Sequence, residues 1–374
     1  MIFLDNASTT RVYNEVLDVY NKYSEEIFFN PSAPYILANN VKQDIMNAEK
    51  RILHFINAPT GSKIVFTSCA TESNNMAVLN SLNKAYKKVL ISVGEHSSVY
   101  NLAQEIKNRG YDVEYINLNE DGTVSIEDLK RKMDNNVGVV AIMHVSNETG
   151  AINDIEKLVK IVKSINPKCH FHCDGVQAMC KIKVDVKFLG VDSYTFSGHK
   201  IHAPKGIAGL YVKGSISPYI LGGGQQGGLR SGTENVSGIM ALDKAIQMAK
   251  VEENFAYVKE LNMKARKILQ TEQNIHINSE ENNCPYILSI SAIGVNGATL
   301  VNMMDSCGVC LGIGSACSTK KAGNVTLEAM GKNKDEILGS LRISFCVQNT
   351  IQEVEFACEK LLENYQKLRK ISGK

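Results

Sequence analysis

The chain has 374 residues, 44% of them hydrophobic and 21% charged, with a formal net charge of +2 at neutral pH. That length suits one large domain plus a smaller one, and the near-neutral balance gives no sign of a nucleic-acid or membrane-binding surface. Ten cysteines without the dense spacing of small secreted scaffolds fit reduced thiols, no stretch reaches the length of a membrane span, and the opening residues lack a basic-then-apolar leader, so the expected setting is cytoplasmic.

In chain order, residues 5–10 are a run of small polar groups with turn and capping character, followed by a helical pattern through Val12, Val16, Val19 and Tyr20. Residues 30–34 read as a loop, 36–57 as a helix and 63–67 as a short strand. That strand leads into residues 68–75, which open a helix expected to run to about Lys87. A strand feeding a Ser/Thr-rich helix start presents unpaired backbone N–H groups and the positive end of the helix dipole, a ready place for a phosphate. Thr71 is its expected side-chain contact; a plain N-cap is the alternative.

From Val89 onward, apolar runs at 89–93, 113–117, 137–144, 169–173, 192–196 and 207–212 alternate with helical segments near 98–109, 125–134 and 154–165. This alternation predicts a mainly parallel sheet covered by helices. Ligands in such sheets gather at the carboxyl ends of strands, and polar residues recur there: His96, Asn147, Asp174 and the segment 197–200. His96 is read as a ring that can stack on a flat cofactor and move protons. Asn147 and Gln177 can donate to a phenolic oxygen of such a cofactor, with capping or turn roles as the alternative. Cys169, His170, His172 and Cys173 invite a zinc reading, but on a strand the cysteines and the histidines fall on opposite faces, so a packed strand is expected.

The run 191–196 reads as a buried strand, and Ser197-Gly198-His199-Lys200 leaves it. An amine in that position can form an imine with a carbonyl cofactor, and a carboxylate at Asp174 would keep a pyridine nitrogen protonated, so that the ring stays an electron sink. Lys200 is therefore read as the lysine for pyridoxal phosphate. The glycine-rich run 222–233 lacks the Gly-Lys-Ser/Thr ending of a nucleotide loop and the setting of a dinucleotide fingerprint. A long helical region, about 234–272, is expected to bridge to a second domain holding residues 286–291, a helix near 297–305, a strand at 341–345 and a final helix from about 350 to 369. Cys307 and Cys310 have redox-motif spacing but lack the strand-to-helix approach such motifs use, and no metal site is expected. Residues 312–324 surround Cys317 with glycines, small residues, Lys320 and Lys321, which reads as a mobile loop whose thiol is favoured as thiolate.

Taken together the chain resembles the cysteine desulfurases, in the class V branch of fold-type I pyridoxal phosphate enzymes. The likeness rests on LDNASTT at 4–10, NPSAP at 30–34, TSCATESNN at 67–75, EH at 95–96, HVSNETG at 144–150, HCDGVQ at 172–177, SGHK at 197–200, GGLRSGTENV at 227–236, GSAC at 314–317 and LRIS at 341–344. The GSAC form is similar to the branch that supplies sulfur for iron–sulfur clusters and tRNA thiolation. The resemblance implies an α/β fold with a mainly parallel seven-stranded sheet in a large domain over 15–255, and a smaller α+β domain from 1–14 and 256–374 carrying the Cys317 loop. It implies that Lys200 holds the cofactor and moves the Cα proton, Asp174 pairs with the ring nitrogen, His96 stacks on the ring, and Asn147 and Gln177 bind its oxygen. Thr71, Ser197 and His199 would hold the phosphate, with Thr233 coming from the partner of a homodimer, and Ala70 would also contact the cofactor. Arg342 would clamp the carboxylate of L-cysteine beside Asn30. Cys317 would take the sulfur as a persulfide for a protein acceptor, leaving alanine.

Departures are few: Tyr35 stands where this branch often has histidine, Cys346 replaces a commoner small residue, and the Glu-Pro pair frequent after the cysteine is missing. Selenocysteine lyase and a thiol-independent class V aminotransferase are the neighbouring activities. A scaffold that binds a sulfur acceptor without turnover is the reading from another class.

Overall fold

The apolar runs pair into two sheets in the computed structural model, which describes residues 1–314 and 324–371. In chain order the strands are β1 (Ile2–Leu4), β2 (Lys63–Thr67), β3 (Lys88–Ser92), β4 (Asp112–Ile116), β5 (Val137–Met143), β6 (His170–Asp174), β7 (Ser193–Ser197), β8 (Ala208–Val212), β9 (Ile275–Ile277), β10 (Ile287–Ala292), β11 (Val309–Ile313) and β12 (Ser340–Ser344). The larger sheet runs β2-β8-β7-β6-β5-β3-β4 and the smaller β1-β11-β12-β10-β9. Neighbours from β7 through β4 are parallel, while β8 runs antiparallel to both β7 and β2. The connection through 198–207 is too short for a crossover helix, so β7 can only turn back on itself there. The fold is thus α/β around a mainly parallel seven-stranded sheet, as the sequence pattern and the resemblance implied.

Side chains alternate between the two covered faces of that sheet. Leu90, Val140, Ile142, Phe171 and Cys173 enter the principal core, whereas Val89, Ile91, Val139 and Ala141 pack with Val99, Leu102 and Ile106 on the other side. Every residue of β5 is buried, which accounts for its unbroken apolar run. The helix Ile155–Ile165 covers the sheet with Ile155, Leu158, Val159 and Val162, one stripe at helical spacing, and Asp154 caps its start. The edge strand β2 is closed by a side chain: Phe66 N donates to Gln226 Oε1 at 2.6 Å and Gln226 Nε2 donates to Phe66 O at 2.8 Å. The glycine-rich run therefore serves as an edge clamp.

Several boundaries differ from the sequence reading. The helix opening at Ala70 stops at Asn80 rather than near Lys87, because the Asn80 amide donates to Ser217 O and Pro218 O and Asn83 folds the next residues into a turn through Ala85 N. The segment expected at 98–109 is two helices, Ser97–Tyr100 and Leu102–Asn108. The long region after 234 breaks into Val236–Gln247 and Val251–Leu269, with no glycine or proline to mark the joint. Asp174 and Ser197 belong to their strands instead of following them, since His144 N bonds Asp174 O and Gly175 N bonds Thr195 O. On β6, His170 and His172 share the Ser193 hydroxyl while Cys169, Phe171 and Cys173 lie in the core, the expected division of faces.

Strand order reverses between β3 and β5, the place where open sheets leave a crevice at their carboxyl ends. Gly175, the first residue after β6, is required there: a Cβ would stand 1.9 Å from Tyr194 Cε1. Gly175→Ala is expected to cost about 3 kcal/mol through overpacking, read as a lowered urea midpoint. A midpoint equal to the parent's would show that Tyr194 moves aside freely.

Candidate active site

A cleft of about 350 Å³ opens at the carboxyl ends of β3, β5, β6 and β7. Its wall includes Ala70 and Thr71 from the start of the helix after β2, His96 after β3, and Asn147 after β5. Asp174, Gln177, His199, Lys200 and, from the smaller sheet, Arg342 complete the sequence-predicted residues it gathers. The helix Ala70–Asn80 starts at Cys69 in extended backbone with no side chain capping it, so the Ser/Thr cap considered as the alternative is not formed. Its first N–H groups carry partial positive charge at the cleft wall.

Lys200 is held by the residues that read as a mere turn at the start of the chain. Its Nζ donates to Ala7 O at 2.5 Å and Ser8 O at 2.6 Å. Thr10 N in turn donates to His199 O at 2.8 Å, and His202 N donates to Thr10 Oγ1 at 2.8 Å, so the 5–10 run and the 197–200 turn lock together. Burial, with Lys181 and Arg342 as like charges and Asp5 and Asp174 only partly offsetting them, lowers the amine to about 7. A large fraction is therefore the free base near neutral pH. Burial, then Lys200, Lys205 and Lys181, lowers His199 to about 4, leaving its ring neutral.

Asp174 sits in a one-way chain of donors. Asn74 Nδ2 donates to Asp174 Oδ2 and to Ser98 Oγ, both at 2.8 Å, so Asn74 Oδ1 must accept from His172 Nε2 at 3.0 Å. His172 Nδ1 then accepts from the Ser193 hydroxyl, whose oxygen accepts from His170 Nε2, each at 2.8 Å. Burial first, and then His170, lowers His172 to about 3, and burial lowers His170 to about 4, so both rings stay neutral. The Ser98 hydroxyl, accepting from Asn74, donates to His96 Nδ1 at 2.9 Å, which leaves Nε2 as the N–H of that ring. Val176 N adds a second donor to Asp174 at 3.0 Å.

Arg342 donates to Asn147 O at 2.8 Å and to Asp5 Oδ1 at 3.1 Å, and approaches Glu148 Oε1 at 3.7 Å. Its Nε is buried without a hydrogen-bond partner among the described residues. Glu148 also accepts from Asn324 Nδ2 at 3.3 Å, and a Cβ on Gly314 would lie 2.7 Å from that Asn324 nitrogen. The two described residues flanking 315–323 thus meet beside Arg342. Cys317 itself lies outside the described residues.

Three expected residues stand apart from the cleft wall. Ser197 is buried and its hydroxyl, which could donate to a bound anion, has no partner among the described residues. Asn30 and Thr233 are exposed and line no part of this cleft within one chain. Neighbours of each, Pro31 and Ser32 on one side and Gly227, Leu229 and Glu234 on the other, border a second hollow of about 470 Å³. Sequence reasoning missed Ala7, Ser8, Asn74, Ser98, His172 and Glu95. The motifs LDNASTT and TSCATESNN contained Ala7, Ser8 and Asn74, and EH and HCDGVQ contained Glu95 and His172, but spacing alone could not say which partner each would meet.

The cleft thus offers an amine that is substantially unprotonated, a carboxylate held by neutral donors, a guanidinium and an anion-attracting helix start. Such a set suits a flat, anionic carbonyl compound with a basic ring nitrogen, together with an amino-acid carboxylate. Residues 2–356 match the class-V aminotransferase family. A cysteine desulfurase of Trichormus azollae is 32% identical over 381 aligned residues, which span 100% of this chain and 94% of the relative. Among solved structures, a NIFS-like protein superposes with a TM-score of 0.92 at 31% identity, over 98% of this chain and 100% of its own. SspA in complex with cysteine gives 0.81 at 28% identity, over 92% and 99%.

Behind Asp174, Glu95 accepts from Met143 N at 2.6 Å through Oε1, while Oε2 is buried without a partner among the described residues. Burial, and then the Asp174 charge, pushes its carboxyl well above the ordinary 4.5, so it is held as the neutral acid. Below that ordinary value both folded and unfolded chains keep the proton. Above it only the unfolded chain releases it, so this group's contribution to stability falls as pH rises. Glu95→Gln is expected to gain in melting temperature relative to the parent as pH rises above the ordinary 4.5. A difference that does not change with pH would show that Glu95 titrates normally.

Proposed function

We infer that this chain, which belongs to the class-V aminotransferase family and to its cysteine desulfurase branch, takes sulfur from L-cysteine with pyridoxal phosphate bound at Lys200 and leaves alanine. The observation that carries the cofactor assignment is the Lys200 amine, lowered to about 7 and placed in one cleft with Asp174 and His96. Pyridoxal phosphate, when bound, supplies an electron sink that labilises the bonds of an amino acid joined to it.

The chain's own groups have distinct tasks. Lys200 captures the aldehyde as a free base and carries the Cα proton. Asp174, kept as an acceptor by Asn74 and Val176, holds a proton on the ring nitrogen. His96 covers the ring and presents Nε2–H to the cleft; Asn147 and Gln177 donate to the ring oxygen. Ala70 and Thr71 at the helix start, with Ser197 and His199, hold the phosphate. Thr233 reaches it from a second copy in a homodimer, a role that suits its exposure and its distance from this chain's own cleft wall. Arg342 binds the substrate carboxylate with Asn30 nearby.

Cys317 is the thiol that receives the sulfur as a persulfide. Support comes from the described flanks of its segment, Gly314 and Asn324, which converge on Glu148 next to Arg342. The sulfur then passes to a protein acceptor, an iron–sulfur scaffold or a tRNA-thiolating enzyme, in the cytoplasm and without direct contact with nucleic acid. In this reading residues 15–255 form the cofactor-binding unit, and 1–14 with 256–374 form the smaller unit bearing Cys317.

Two variants test the assignment. Lys200→Ala should lose the covalent cofactor adduct trapped by borohydride and seen by intact mass. Cys317→Ser should keep that adduct while sulfide release from L-cysteine falls by about 100-fold or more. An adduct that survives Lys200→Ala removes the cofactor assignment, and unchanged sulfide release from Cys317→Ser removes the persulfide role.

A further inference from the structure

Among the described residues Lys181 is a buried amine without a counter-ion; burial lowers it from 10.5 to about 8, which leaves it mostly protonated at pH 7. It is 6% exposed, and among the described residues no carboxylate pairs with it. Its Nζ donates to Gln177 Oε1 at 2.5 Å and lies 5.6 Å from the centre of the Tyr286 ring. The other groups that act on it are the Cys180, Cys284 and Cys346 thiols and the Arg342 guanidinium. Burial pushes Cys180 up to about 12 and Cys284 to about 11, so neither thiol supplies a negative charge near neutral pH. Uncompensated positive charge in such a place has to be functional or is a standing cost to stability.

Its surroundings say what it acts on. Lys181 and Lys200 line the same small hollow of about 30 Å³, bordered also by Tyr13, His202 and Tyr286. A lysine Nζ only donates, so its bond forces the Gln177 amide oxygen toward it and the NH₂ away. Gln177 Nε2 accordingly donates to Ala7 O at 2.9 Å, the same carbonyl that accepts from Lys200 Nζ. One N–H of that amide remains for an oxygen of a bound ligand. Four groups in series, Lys181, Gln177, Ala7 O and Lys200, thus connect the hollow to the cleft.

We propose that Lys181 is a positioning residue for this site: it sets the orientation of the Gln177 amide, and its uncompensated charge acts on Lys200 across the hollow that the two lysines share. The proposal rests on the reading of Lys200 as the cofactor lysine. The charged groups facing Lys200 are Lys181 and Arg342, which favour the free base, and Asp5 and Asp174, which oppose it. Of the two cations, Arg342 is partly neutralised by Asp5, at 3.1 Å, and by Glu148. Lys181 has no such partner, so it exerts the larger uncompensated field.

The test follows the acylation of Lys200 by acetic anhydride against pH in the full-length protein freed of cofactor, read by the mass of the peptide containing it. Wild type should show a midpoint near 7. Lys181→Met, neutral and of similar length, should raise that midpoint by about one pH unit, lowering the free-amine fraction at pH 7 about fivefold. Lys181→Gln retains a donor for Gln177 but no charge and should shift the midpoint equally; it also serves if the Met variant does not fold. A midpoint unmoved in the folded variants overturns the proposal while leaving the cofactor lysine in place. A wild-type midpoint at the ordinary 10.5 overturns the proposal and the reading it rests on together.

Discussion

The Lys200 amine has backbone carbonyls for partners and cations for neighbours. Ala7 O and Ser8 O accept its hydrogens without supplying a full negative charge, and Lys181 and Arg342 are like charges that act on it. A carboxylate in their place would hold the amine protonated and inert toward an aldehyde. Much else in the molecule serves to make that arrangement possible. The chain's first residues return across the whole fold, with β1 pairing with β11 and Thr10 bonding the His199 carbonyl, to bring two carbonyls to one amine.

The opposite requirement is met at Asp174. There the structure surrounds a carboxylate with neutral donors and holds the nearest acid, Glu95, in its protonated form. The chain from His170 through Ser193, His172 and Asn74 passes hydrogens in one direction only, because Asn74 must give both of its own to Ser98 and Asp174. Asp174 and His96 are therefore oriented by one side chain. An amine lowered toward its free base and a carboxylate that accepts from Asn74 and Val176, in a single cleft, are what the desulfurase reading needs from the protein itself.

The smaller sheet joins the site through Arg342. Gly312 faces it across the β11–β12 ladder, where a Cβ would stand 2.7 Å from Asp5 Oδ1 and 3.1 Å from Arg342 Nε, so only glycine leaves room for the Asp5 pair. The same ladder leads on to Gly314 and, past the segment with Cys317, to Asn324 on Glu148. Arg342 and the described flanks of the Cys317 segment thus share one set of supports.

Strand ends were legible in the sequence. Alternating apolar runs separated by helical stripes imply a parallel sheet, and polar residues closing those runs mark its carboxyl edge, so Lys200, Asp174, His96 and Asn147 could be assigned to one site from order alone. The pairing of that site with its supports could not. Ala7 and Lys200 are 193 residues apart, and Asn74 and Asp174 are 100 apart. No periodicity relates residues at such separations, because a hydrogen bond between distant strands depends on how the layers stack and on which face a loop returns to. Lys181 shows the limit most clearly: in the sequence it is one more lysine after a short turn, and only burial against Tyr286 and Gln177 makes it a charge that the reactive amine must feel.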